Sequence, residues 1–159
     1  MAIGEFNKFS SPINPKMNHV VLVNPSNMGN LGTIIRAMVG FSIFDVAIIR
    51  PSADLFDPKV IRASMGAIFL LRFELFDTFS DYEKKFAHRH LYPFMLQAKT
   101  SLKETKKEEP FSLIFGNEAT GLSESFLKVG TPLIIPQSSF VDSLNLDNAV
   151  SIGLYEFTK

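Results

Sequence analysis

The chain has 159 residues, 46% of them hydrophobic and 12% aromatic, which is enough for one domain with a substantial core and excludes a disordered chain. Sixteen Lys and Arg balance 16 Asp and Glu, so bulk charge does not advertise a nucleic-acid partner, and any such contact has to come from local patches. Cysteine is absent, which excludes disulfides and thiolate metal sites. No apolar stretch is long enough for a bilayer, and the polar start of the chain lacks a signal-peptide core, so the expectation is a soluble cytoplasmic protein.

Residues 1–18, with Pro12 and Pro15, read as a flexible N-terminal arm. His19–Asn24 is short, apolar and β-branched, as a buried parallel strand should be. A polar turn, Pro25–Asn30, leads into a helix over Leu31–Phe41, with Leu31, Ile34, Ile35 and Met38 at helical spacing. Asp45–Arg50 reads as the next strand, completing a strand–helix–strand unit. Asp57-Pro58 opens a short helix, with Asp57 as cap and Pro58 at the first position; Gly66 suits its end. Ile68–Phe76 is strand-like, Ser80–Arg89 a polar amphipathic helix and Leu91–Leu96 a strand. Thr100–Glu109 is charged and expected to be exposed. Phe111–Phe115 and Pro132–Ile135 are further apolar strands, with an ordinary turn and a helix near Ser123–Lys128 between them. Leu146–Phe157 closes the chain as a helix. Strands alternating with helices imply an α/β fold: a mostly parallel sheet with helices on both faces, in a single domain over 19–159.

Three polar segments each follow an apolar strand, and ligands of open parallel sheets bind outside the carboxyl ends of strands. The first is Asn24–Arg36, where Gly29 and Gly32 permit close backbone approach or positive φ. Asn27 and Asn30 offer caps or substrate contacts, and Arg36 lies further along the helix. Neither the dinucleotide fingerprint nor the Walker pattern is present. The second is Ile114–Ser123, in which Gly116 and Gly121 bracket Glu118. The third is Ile134–Asn148, where Ser143, Asn145 and Asn148 are more polar groups than one helix cap requires. Each segment alone also reads as a capped helix or an ordinary turn. The basic candidates Arg62, Arg72, Lys84, Lys85, His88–His90, Lys103, Lys106 and Lys107 each read first as a solvated face.

In order and combination the three segments resemble the signature motifs of SpoU-type (TrmH-like) RNA 2'-O-ribose methyltransferases, in the SPOUT superfamily. Asn30-x-Gly32-x-x-x-Arg36 matches the first motif, Gly116-x-Glu118-x-x-Gly121-Leu122 the second, and Pro136 with Ser143-Leu144-Asn145 the third. Lys59–Gly66 resembles the stretch usually found between the first two. The similarity runs from about residue 19 to 157. Two positions depart from the common pattern: Asn24-Pro25 stands where many relatives have Asp-Pro, and Gln137 where many have Met.

The resemblance implies a C-terminal trefoil knot, which generic topology rules would not suggest. It implies S-adenosylmethionine held around Gln97, Gly116, Gly121, Ile135 and Leu144, with no metal. Arg36, Asn30, Glu118, Ser143 and Asn145 become the candidate catalytic group, and Arg36 and Arg62 the candidate RNA contacts. Guanidinium groups stay protonated in proteins, so the resemblance is better served by an Arg36 that orients phosphate and stabilises developing alkoxide charge than by a literal base. A homodimer acting on tRNA or rRNA is implied too. The alternatives are a catalytically inactive RNA-binding module of the same fold, and a small-molecule methyltransferase. A nucleotide-dependent oxidoreductase is disfavoured by the missing fingerprint.

Overall fold

The computed structural model describes Met1 and residues 3–159. Its strands, in chain order, are β1 (His19–Val23), β2 (Asp45–Ile49), β3 (Arg72–Phe76), β4 (His90–Pro93), β5 (Thr100–Ser101), β6 (Phe111–Phe115) and β7 (Leu133–Ile134). Five of them form one sheet in the order β3-β2-β1-β6-β4, with every pairing parallel. β5 and β7 pair in a two-stranded ladder, and a bridge from Phe94 to Leu133 ties it to the end of β4. The central strands are mostly apolar because both of their faces are covered, with His19, Asp45 and Ser112 as buried polar exceptions. Val20, Leu22, Val46, Ile48, Leu113 and Phe115 face one core, while Val21, Ala47, Ile49 and Ile114 face the other.

Helices α1 (Met28–Gly40), α2 (Pro58–Ser64) and α4 (Leu146–Thr158) cover the first face; α3 (Phe79–Lys85) covers the second. α1 begins three residues before the expected start, because the Asn27 side chain accepts the Asn30 N–H at 2.9 Å and caps it there. Asp57 and Pro58 start α2 as expected, and the chain leaves it through left-handed Met65 (φ 51) and Gly66 (φ 85). Gly32 permits the contact between α1 and α2: a Cβ there would lie 2.5 Å from the Ala63 Cβ and 2.7 Å from the Val60 carbonyl oxygen. Its use is therefore helix packing rather than ligand approach.

Three expected elements differ. Ala67–Leu70 is a 3-10 turn rather than the start of a strand, and β3 begins only at Arg72. A run such as Ile68-Phe-Leu-Leu71 carries no period that separates the two. α3 stops at Lys85, because Phe86 turns into the core and Arg89 is drawn beneath the sheet. The charged stretch after Thr100 contains β5 and the buried Leu102.

The expected arm runs beside β3 as far as Ile13 and then crosses the amino-terminal end of the sheet toward Arg89 and Phe111. Ser11 accepts the Phe73 N–H at 2.8 Å, Ile13 is buried, and Phe9 packs edge-on to Phe56 and Phe73. The segment therefore has more fixed contacts than its polar composition suggests.

A buried polar chain holds the amino-terminal end of the sheet. His19 Nε2 lies 2.8 Å from the Asn14 carbonyl, which can only accept, so Nε2 carries the proton. Nδ1 must then accept from the Tyr82 hydroxyl at 2.9 Å. Tyr82 in turn accepts from Ser112 Oγ at 2.6 Å, and Ser112 accepts from Arg89 Nε at 2.7 Å. Arg89 also donates to the carbonyls of Pro15, Met17 and Phe111. Among the described residues no buried side-chain nitrogen or oxygen lacks a partner.

Candidate functional site

Because β1 and β6 are parallel neighbours, with Leu22 opposite Phe115, the loops that follow them emerge side by side. Phe41, after α1, meets Tyr155 near the end of α4 at 6.4 Å. The two helices thus run the same way, and both start at the carboxyl end of the sheet. This puts Asn27–Asn30, Gly116–Leu122 and Ser143–Leu146 at one edge of the molecule.

Glu118 joins the first two loops. Its carboxylate accepts the backbone N–H of Ser26 at 3.1 Å and of Asn27 at 3.0 Å, and the Ser26 hydroxyl at 2.9 Å. Burial pushes the carboxyl up, but these donors and its own backbone N–H outweigh that and hold it below the usual carboxylate range. Asn117, which sequence reasoning passed over, adds a second tie: its amide donates to the Asn24 carbonyl at 2.8 Å and to Ser26 Oγ at 3.3 Å. Its own carbonyl oxygen accepts the Ala119 N–H at 2.8 Å, shaping the turn. No periodicity or spacing could have revealed a bond between residues 24 and 117. Asn24 accounts for its departure from the common Asp: it sits at φ 55 and donates through its amide to the Arg50 carbonyl at 2.7 Å, which a carboxylate could not do.

A cavity of about 220 Å³ opens beside these loops. All five candidate cofactor residues, Gln97, Gly116, Gly121, Ile135 and Leu144, line it. Glu118 and Ser143 line it too. Its inner wall includes Phe94 and Phe115, stacked at 4.4 Å. Gly153 of α4 admits that pair, since a Cβ there would sit 2.9 Å from the Phe94 ring. Gly116, besides lining the cavity, shapes the loop itself. A Cβ on it would lie 2.2 Å from the Gly121 backbone, so the glycine lets the loop close on itself. Gly121 supplies the positive φ of that closure, at 66°.

The other candidates lie off the cavity lining. Asn30 is half-buried in the first turn of α1, and its side chain makes no hydrogen bond among the described residues. Arg36 is exposed one helical turn beyond Gly32, with no ion-pair partner among the described residues. Asn145 occupies the cap position of α4 without a side-chain cap bond. Arg62 is exposed in the last turn of α2.

Several basic candidates are committed elsewhere. Arg72 grips buried Asp45 through two bonds of 2.8 and 2.5 Å, Lys85 pairs with Glu74, Lys107 with Glu156, and Arg89 serves the buried chain. No cluster of potential metal ligands occurs among the described residues.

The model of the SpoU rRNA methylase family matches residues 17–155. An uncharacterised tRNA/rRNA methyltransferase of Synechocystis is 34% identical over 140 residues, covering 86% of this chain and 51% of that protein. A solved structure concerned with 2-OH methylation of C/U34 on tRNA superposes with a TM-score of 0.82 at 31% identity, covering 91% of this chain and 95% of that one. An AdoMet-bound rRNA methyltransferase of Sinorhizobium meliloti gives 0.88 at 28% identity, covering 96% of this chain and 61% of that one. The chain therefore spans about half of the Synechocystis relative but nearly all of the tRNA-directed structure.

Proposed function

This chain belongs to the SpoU rRNA methylase family, and from that premise we propose that it transfers a methyl group from S-adenosylmethionine to a ribose 2'-hydroxyl of tRNA or rRNA. One observation carries the reading: Gln97, Gly116, Gly121, Ile135 and Leu144, named from the family resemblance and drawn from four separate segments, line a single cavity at the carboxyl end of the sheet. The cavity suits the cofactor. Phe94, Phe115, Leu122 and Ile135 offer apolar surface, while Asn117, Glu118, Gln137 and Ser143 place polar groups at its edges. Such a mixture fits a ligand with a flat heterocycle and a charged tail. When bound, S-adenosylmethionine supplies a methyl on a sulfonium, whose departure leaves a neutral thioether.

The residues of the chain then have separable tasks. The backbone of the Gly116–Gly121 turn and the Ile135 and Leu144 segments hold the cofactor. Glu118 and Asn117 fix the loop that starts α1, and through it the helix carrying Asn30 and Arg36. Arg36, exposed and without an ion-pair partner among the described residues, grips an RNA phosphate and stabilises charge growing on the attacking oxygen. The hydroxyl proton passes to phosphate or water. Ser143 and Asn145, at the start of α4, orient the ribose. Positioning of this kind supplies much of the acceleration. Arg62 is proposed as a further phosphate contact.

The trefoil knot belongs to the same proposal. It is supported by contacts of Thr131 with Leu91 and of Leu133 with Phe94 and Met95, which run the segment before α4 alongside β4 and its carboxyl end. A homodimer is proposed on the exposed outer face of α4, where Ile152 and Tyr155 face solvent. The proposed site of action is the cytoplasm, where these RNAs reside; no helix among the described residues is long and apolar enough to cross a membrane. Titration calorimetry tests the cofactor half of the reading. S-adenosylmethionine or S-adenosylhomocysteine binds at micromolar to sub-millimolar levels without competition from dinucleotides; no heat from either ligand with folded protein would overturn it.

A further inference from the structure

The loop between β7 and α4 carries a feature that the transfer chemistry does not use. Phe140 is 97% exposed and Val141 beside it is exposed as well. Their position is built rather than loose. The Phe140 N–H donates to Ser138 Oγ at 3.2 Å, and Gln137 Nε2 donates to the Asp142 carbonyl at 3.4 Å, so the loop is braced across its base with Phe140 in the turn at its tip. Both stems of the loop belong to the cavity wall, through Gln137 on one side and Ser143 and Leu144 on the other. From Ser143 to Phe140 is three residues, a reach of at most about 10 Å. The Phe140 backbone therefore lies within about 10 Å of the cavity rim, and a base held at that rim is within reach of its side chain.

We propose that Phe140 is a stacking platform for a nucleobase of the RNA substrate, either the base of the methylated nucleotide or its immediate neighbour. This rests on the ribose-methyltransferase reading of the adjoining cavity. A ribose presented to that cavity brings its base to the rim, and single-stranded RNA is commonly held by bases stacked on aromatic side chains. Stacking tolerates every base, because every base has a π-face. The surroundings favour a base over a second protein. The apolar tip is two residues wide and is flanked by Ser138, Ser139 and Asp142, all exposed. A stable protein interface needs about 800 Å² per partner, far more than such a tip supplies.

The chain contains no tryptophan, so Phe140→Trp installs a single fluorophore at the tip. Adding unmodified tRNA transcripts or rRNA fragments quenches that fluorescence by base stacking with at least one of them, whereas Phe6→Trp, on the N-terminal segment, shows no quenching. In the otherwise unsubstituted protein, Phe140→Ala and Phe140→Leu weaken binding of that RNA about ten- to a hundredfold. Phe140→Tyr keeps it within a few-fold, and all three leave S-adenosylmethionine affinity and molecular mass by light scattering unchanged. Absent quenching overturns the proposal whether or not methyl transfer occurs. So does full binding by Phe140→Leu, or a fall in mass with Phe140→Ala, which would assign the ring to a contact between copies. Quenching without any methyl transfer would instead support the platform and count against the methyltransferase reading.

Discussion

Arg36 and Glu118 show how differently two residues of adjacent motifs are used. Arg36 has no ion-pair partner among the described residues, so its removal should disturb little of the fold while taking away a charge that the proposed reaction uses. Arg36→Ala is expected to lower methyl transfer about 10²–10³-fold with S-adenosylmethionine affinity unchanged within a few-fold, measured by single-turnover kinetics and calorimetry on the same preparation. Arg36→Lys does not rescue it, because an ammonium lacks the planar fork for bidentate phosphate contact. Near-normal turnover in Arg36→Ala would remove it from the mechanism. Glu118, by contrast, spends its carboxylate inside the protein, on Ser26 and Asn27. Glu118→Ala frees the loop that positions α1, and both cofactor affinity and turnover fall about tenfold, since hydrogen bonds to a charged acceptor exceed neutral ones. The carboxyl is held below its ordinary range, so the tie is complete above that range and is lost as pH falls through the depressed value. A variant that lost turnover but kept full cofactor affinity would make Glu118 a direct substrate contact. The sequence displayed the motif residues, but which of them face the cavity and which face each other depends on side-chain pairs far apart in the chain.

Elements were legible wherever a pattern had one physical cause. β1, β2 and β6 are largely apolar runs because both faces are covered, and α2 begins at a cap followed by proline. Legibility failed where tertiary contacts set the boundary. Gly66 in the left-handed region turns the chain before β3, and Arg89 is pulled out of the helical pattern by three backbone carbonyls. The same Arg89 anchors the chain of bonds to His19, whose pKa falls to about 4 through burial and then through the nearby guanidinium, against the opposing Asn14 carbonyl, Asp45 and Glu74. His19 is neutral when folded and has an ordinary pKa near 6.5 when unfolded. Between these values the unfolded chain binds more protons, so stability falls as pH is lowered from about 6.5 to 4. Urea titrations across that window should show a steeper decline for the unsubstituted protein than for His19→Gln. Equal slopes would mean that His19 is not held neutral by this network.

At the scale of the molecule, the alternation of strands and helices was enough for an α/β sheet with both faces covered, and the order β3-β2-β1-β6-β4 bears that out. Strand order and threading are not written in local patterns, so the knot entered only through resemblance to a family. Net charge of zero is no obstacle to an RNA substrate once the free cations are sorted from those engaged internally: Arg36 and Arg62 remain available, whereas Arg72 and Arg89 do not. The proposed homodimer draws on the same sorting of surfaces. Tyr155 on α4 is 58% exposed in a helix whose opposite face is core, and light scattering is expected to give twice the chain mass at micromolar concentration, reduced by Tyr155→Lys; a monomer would exclude that face as an interface. The central claim is tested most directly by the position of the transferred methyl. RNA incubated with the protein and methyl-labelled S-adenosylmethionine, then hydrolysed with alkali, should yield the label in one alkali-resistant dinucleotide carrying a 2'-O-methyl ribose. Label recovered on a nucleobase, or only on free nucleosides and not on RNA, would contradict the account.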